Sequence, residues 1–343
     1  MEERSSSNFL VSFAAFIIII AGLKVASGFL VPFLLAIFFA IICLPIFHYL
    51  HKKKIPDWLS LILIFLLIFV AIGVVGVIVG SSVQEFTINL PEYQQNLSAL
   101  VEKTFALARK LGIKLPEKRL ANIFNPAILI RYIATSLKSF GEVISNSLFT
   151  ILVVIFILTE SAMFSKKLAY IARTPKTASY FETFLSKVAR YMALKTFTSL
   201  VTGVIVTLML WAIGVHYAFL WGLSAFLLNY IPTIGSIIAA VPAIILSLIQ
   251  FGISRTIIVA AGYLIINFVI GSVVEPKIMG RGLGLSTLIV FLSLIFWGWV
   301  FGPVGMFLSI PLTMVVKIAL DSQENTRWIA IMLGNDVPEE SAE

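Results

Sequence analysis

The chain has 343 residues, is 59% hydrophobic and only 12% charged, and carries a formal net charge of +8. Soluble domains are about 25% charged, so half that value, together with long apolar runs, excludes a pair of soluble domains and indicates an all-α polytopic membrane protein. The basic excess reads as loop lysine and arginine facing anionic lipid rather than nucleic acid, and the single cysteine, Cys43, excludes an internal disulfide.

A spanning helix needs about 20 apolar residues. Residues 9–23 and 25–47 predict the first two spans, divided at Lys24 and Ser27-Gly28, with Pro32 and Pro45 in or at the end of the second. No small-x-small cleavage site precedes Lys24, so the first run reads as a retained helix and not a removed signal. The "HKKK" at 51–54 marks a cytoplasmic end by the positive-inside rule. A third span covers 58–80 and a fourth 143–159, followed by "SKK" at 165–167.

This alternation puts the N-terminus in the cytoplasm and residues 82–141 outside. Within 82–141, Val83, Phe86, Leu90, Tyr93, Leu97, Leu100 and Val101 recur at helical spacing. They predict amphipathic periplasmic helices, serving either as a packed subdomain or as an arm for self-assembly. Residues 165–195 carry seven Lys/Arg and one Glu. Their "SYFETFLSKVARYM" predicts a basic amphipathic helix at the cytoplasmic interface.

Residues 196–254 hold no Asp, Glu, Lys or Arg. After a span to "GVH" at 214–216, "AFLWGLSAFLLN" is too short to cross, "YIPTIGS" interrupts it, and 237–250 forms a second arm. The last third repeats the design. A span at 256–274 leads into the charged knot "EPKIMGRGLG"; then come 285–300, a break at "FGPVG", and an arm over 306–316. The charge-free 282–316 would make roughly 50 Å of helix, too long for one crossing and short for two. Two re-entrant hairpins fit this length, and one long broken helix is the alternative. Gly235 precedes Pro242 by seven residues and Gly305 precedes Pro311 by six, so the two blocks of the C-terminal half align weakly. They would form an inverted repeat if each hairpin returns to its own side, and chance spacing of glycine and proline is the alternative. The expectation is about eight membrane segments, two of them broken or re-entrant. The transport core would be 196–320, with 142–164 a transmembrane helix, 1–81 a scaffold and 321–343 a cytoplasmic tail.

Irregular backbone at membrane depth survives only where protein or a watery cavity supplies hydrogen bonds. The candidate solute path is therefore Asn229, Pro232, Thr233, Gly235, Ser236, Asn267, Glu275, Trp297, Trp299 and Pro303. For Asn267 and the tryptophans, helix packing is the competing role. Glu275 is the only acid between Glu182 and Asp321, and reads either as a helix-end carboxylate or as a proton or cation site. Pro276, Lys277, Gly280, Arg281, Gly282 and Gly284 form the candidate hinge, in which Glu275 and Arg281 would pair in one state. There is no Walker A pattern, HExxH or dinucleotide fingerprint, so enzymatic, cofactor and metal chemistry are not expected.

"FLWGLSAFLLNYIPTIGS" and "EPKIMGRGLGLSTLIVFLSLIFWGWVFGPVGMFLSIPLTMVVKIAL" strongly resemble the autoinducer-2 exporter family, and the order of segments extends the resemblance over nearly the whole chain. The resemblance implies a secondary transporter in the bacterial inner membrane. It would export autoinducer-2 or a related small polyhydroxylated solute, with no nucleic-acid partner. It also implies a homo-oligomer, a pentamer, whose carrier moves like an elevator. The family motif carries onto Asn229, Pro232, Gly235, Glu275, Pro276, Gly280, Arg281, Gly282 and Pro303. Some relatives resemble sodium/proton antiporters, which is the alternative function.

Overall fold

The computed structural model describes residues 2–110, 131, 134–135, 149–160, 175–279 and 284–335. Every regular element among them is helical: α1 (Glu2–Val25), α2 (Ser27–Lys52), α3 (Asp57–Lys110), α4 (Phe149–Glu160), α5 (Pro175–Ile213), α6 (Ala218–Leu228), α7 (Ile234–Phe251), α8 (Ile253–Asn267), a π-helical segment (Phe268–Val274), α9 (Glu275–Met279), α10 (Thr287–Phe307), α11 (Ser309–Asp321) and α12 (Arg327–Met332). Among the described residues, six helices are long and apolar enough to cross a membrane: α2, the apolar part of α3, α5, α7, the α8–α9 run and α10. The chain is a multi-pass membrane protein.

Three boundaries differ from the sequence reading. The apolar run 58–80 and the amphipathic stretch after it are one 54-residue helix, α3, which runs through Pro91. The basic amphipathic stretch from Pro175 continues without a break into the 196–213 span as the 39-residue α5. Composition changes along both helices, but nothing in either sequence stops the backbone. Third, the expected short arm 237–250 is the 18-residue α7, which starts at Ile234 and at about 27 Å is long enough to cross.

Packing separates two compact units, one formed by Met1–Leu61, Phe149–Ala193 and Arg281–Glu343, the other by Ile62–Leu148 and Leu194–Gly280. In the second unit Val79, Phe86, Tyr93 and Leu97 of α3 repeat at helical spacing and enter a core with Val206, Leu210, Leu220, Trp221 and Leu246. The amphipathic face of α3 thus finds its cover within the chain, although Val83 of the expected stripe is exposed. Close approach of α5 and α6 depends on paired glycines: a methyl at Gly222 would meet Thr207 Oγ1 and the Gly203 carbonyl.

In the first unit, α10 reverses at Gly302, where φ is 66° and ψ −149°. Trp297 Nε1 donates to Thr313 Oγ1 at 2.9 Å. A straight helix would hold residues sixteen apart about 24 Å from each other, so the α10–α11 region is a hairpin. The α6–α7 hairpin of the other unit has the same internal construction. Its chain reverses at Thr233, φ 63°, and a methyl at Gly235 would land on the Leu228 carbonyl as one at Gly305 would on that of Trp297. Both glycines lie four residues after a large side chain, Ile231 or Phe301, that closes the same gap.

Candidate transport site

The site is built on one face of α5. Lys195, Thr198, Ser199 and Thr202 follow at i, i+3, i+4 and i+7, which places them in a single row, and all four are buried. A polar row of this kind inside a membrane helix requires partners. Two interrupted elements supply them.

The first is the α6–α7 reversal. Asn229 Nδ2 donates to Ser199 Oγ at 3.0 Å, and the Tyr230 hydroxyl donates to Thr196 Oγ1 at 2.7 Å. Immediately after these anchors, the Ile234 amide donates to the Pro232 carbonyl at 2.6 Å across Thr233, whose φ 63° and ψ −51° define a γ-turn in the left-handed region. A threonine resists this conformation, and the two side-chain anchors beside it hold the turn in place.

The second element is the π-helical segment. Its i→i+5 bonding closes each hydrogen-bonded ring over one residue more than in an α-helix, an irregularity common at functional sites. The Glu275 amide donates to the Ile270 carbonyl, closing the last wide turn. The Glu275 carboxylate accepts from Lys195 Nζ, with both side chains largely withdrawn from solvent at 17% and 7% exposure. Thr198 Oγ1 lies 3.3 Å from Glu275 Oε1 and 3.1 Å from the Lys195 carbonyl, so its single proton has two competing acceptors. Between Lys195 and Glu275 the sequence carries no charge except Arg255. A buried pair of this type is held by geometry: removing either partner strands the other charge.

The sequence model described as AI-2E family transporter matches residues 13–325. The chain belongs to the AI-2E transporter family. Among its relatives, a Haemophilus influenzae protein named as a transport protein is 43% identical over 333 residues, 95% of this chain and 96% of its own. The AI-2 transport protein TqsA of Escherichia coli is 38% identical over 320 residues, 93% of each chain. YhhT of Escherichia coli, also named as a transport protein, is 32% identical over 98% of this chain and 97% of its own.

In this AI-2E family member the expected path residues divide between the units. Asn229 and Glu275 come together on α5. Pro232 and Thr233 form the γ-turn, Gly235 packs under it, and Ser236 Oγ approaches the Thr233 carbonyl at 3.4 Å. Asn267 is half-buried at the junction of α8 with the π segment, and Pro276 and Lys277 are exposed on α9. In the other unit, Trp297 is buried in its hairpin, stacked on Phe301 at 5.7 Å, whereas Trp299 is exposed beneath the Lys24 ammonium at 3.7 Å. Pro303 is exposed just past the Gly302 reversal. Gly284, at φ 60°, accepts from Lys317 Nζ through its carbonyl. Gly280, Arg281 and Gly282 lie outside the described residues.

Sequence reasoning placed Glu275 beside loop cations and overlooked Lys195, Ser199 and Tyr230. One signal for Lys195 was available. It is the last charge before the long uncharged run, three residues from Thr198 and seven from Thr202, hence on their face of the helix.

Proposed function

We propose that this chain is a secondary transporter that exports autoinducer-2, or a related small polyhydroxylated solute, across the bacterial inner membrane, with both termini in the cytoplasm. The buried Lys195–Glu275 pair carries this reading. It joins the helix that bears the polar row to the helix with the π irregularity, and it stands among hydroxyl and amide groups of the kind that bind a polyol. The paired state is one conformation of the carrier. Separating the charges exposes a carboxylate, an ammonium and the Thr198 hydroxyl to a solute, and closing them expels it. The glycine-containing knot after Glu275 serves as the hinge. Similarity to the Escherichia coli AI-2 transport protein supports the substrate class, and self-association, as a pentamer, is part of the same reading. Efflux of autoinducer-2 from liposomes containing only this purified protein is the test; retention of the solute equal to that of empty liposomes would reject it.

A second reading, sodium/proton antiport, is favoured by one feature. The Lys195 ammonium occupies a cation's place against a buried carboxylate and a threonine hydroxyl. Solid-supported currents that appear only with sodium, without solute flux, would select it.

A further inference from the structure

A cleft lies on the same unit, away from the ion pair. It has a volume of about 300 Å³ between α3, the end of α5 and the start of α6. Its lining includes Ser81, Ser82, Glu85, Trp211, Tyr217 and Phe219, and no Lys, Arg or His is among its described lining residues.

The serine and glutamate side chains of the wall face the cleft as acceptors. Ser81 and Ser82 both turn their hydroxyl protons to the Ile78 carbonyl, at 3.1 and 2.6 Å, so each presents lone pairs to the cleft. Glu85 adds a carboxylate. The Tyr217 hydroxyl is engaged behind the wall, 2.9 Å from Tyr93 and accepting from Asn89 Nδ2 at 3.3 Å, so this residue offers the cleft its ring. Tyr217 itself has φ 60° and ψ 35°, a left-handed backbone that a tyrosine adopts only under constraint. Trp211 and Phe219 are 69% and 63% exposed and flank the opening. Arg255, from the start of α8, is held on the Ile213 carbonyl at 3.5 Å and over the Phe251 ring at 4.5 Å.

A carboxylate, acceptor hydroxyls and three aromatic rings, with no basic group, make the complement of an ammonium ion. We propose that this cleft binds an alkylammonium group. Its level on α3 suggests the source: the apolar run ends near Gly80 and the polar residues Gln84, Glu85, Thr87 and Asn89 begin there, as at a membrane–water boundary. An aminolipid headgroup reaches this level from the bilayer, and a free amine reaches it from water. The inference is independent of the transport reading.

The test uses the full-length protein. Native mass spectrometry would compare retention of phosphatidylethanolamine with that of phosphatidylglycerol, and ethanolamine or tetramethylammonium would be added as competitor. Wild type retains phosphatidylethanolamine selectively, free amines displace it, and Glu85→Gln lowers its retention about tenfold. Glu85-dependent binding of the free amines without lipid retention identifies the soluble amine as the ligand. Amine binding by Glu85→Gln and by Trp211→Leu equal to wild type, or no amine binding by wild type, overturns the proposal. Both side chains are exposed, and an unchanged helical circular-dichroism melt confirms that the variants are folded.

Discussion

Glu275 and Lys195 stand eighty residues apart in sequence and share a hydrogen-bonded ion pair, flanked on one side by the Thr198 hydroxyl. Both side chains are largely withdrawn from solvent, so each charge depends on the other for its solvation, with Thr198 adding a hydroxyl beside Glu275. The interruptions nearby are of different kinds, a γ-turn at Thr233 and a π-helical stretch before Glu275. Both direct polar groups toward α5.

Breaking the pair from either side should be costly. Glu275→Gln or Lys195→Met alone should lower the stability of the detergent-solubilised protein by about 3–5 kcal/mol, because the surviving partner is left buried and uncompensated. The double variant should recover most of that loss. Thermal unfolding of all four proteins measures the coupling, and strictly additive losses would show that the two groups act separately.

The hairpin glycines predict a matched pair of defects. Alanine at Gly235 or Gly305 drives a methyl into a backbone carbonyl, which cannot move aside as a flexible side chain can. Each should cost about 1–3 kcal/mol. Gly28→Ala and Gly271→Ala, where open space surrounds the new methyl, are the controls and should be neutral or slightly stabilising. Melting temperatures compare the four.

Thr233 offers a substitution in the opposite direction. Glycine accepts φ 63° freely, so Thr233→Gly should relieve about 1 kcal/mol of backbone strain and raise the melting temperature. A lower melting temperature would mean that the exposed threonine side chain contributes more than its backbone costs.

Removing the anchors of the reversal should loosen it. Tyr230→Phe deletes the bond to Thr196, and Asn229→Ala the bond to Ser199; each should cost about 1 kcal/mol. Hydrogen exchange at the Ile234 and Gly235 amides should speed up in both variants. Unchanged exchange would place the rigidity of the turn in Pro232 alone.

Composition made the membrane class legible, and proline and glycine made the interruptions legible: "YIPTIGS" and "FGPVG" break the chain where reversals occur. Gly235 and Gly305, which the sequence sets near a proline in each block, both pass close to a carbonyl of the preceding arm of the hairpin. Helix continuity was hidden. Pro91 sits within α3 without ending it, and the basic, amphipathic start of α5 differs in composition from its apolar end while sharing one backbone. The π segment had no mark either, since Phe268–Val274 reads as an ordinary apolar span. Glu275 was identifiable by scarcity and Lys195 by its place on the threonine face of α5, but their pairing was not. Pairing over eighty residues is set by how two helices pack, and no local pattern records it.

The most direct measurement is autoinducer-2 efflux from proteoliposomes bearing equal amounts of inserted wild type, Glu275→Gln and Lys195→Met/Glu275→Gln. Wild type should empty the vesicles. Both variants should be slowed by about tenfold or more, the double one despite its restored stability, since a neutral pair no longer presents charge to the solute. Efflux by a well-folded double variant at the wild-type rate would contradict a role for the ion pair in transport.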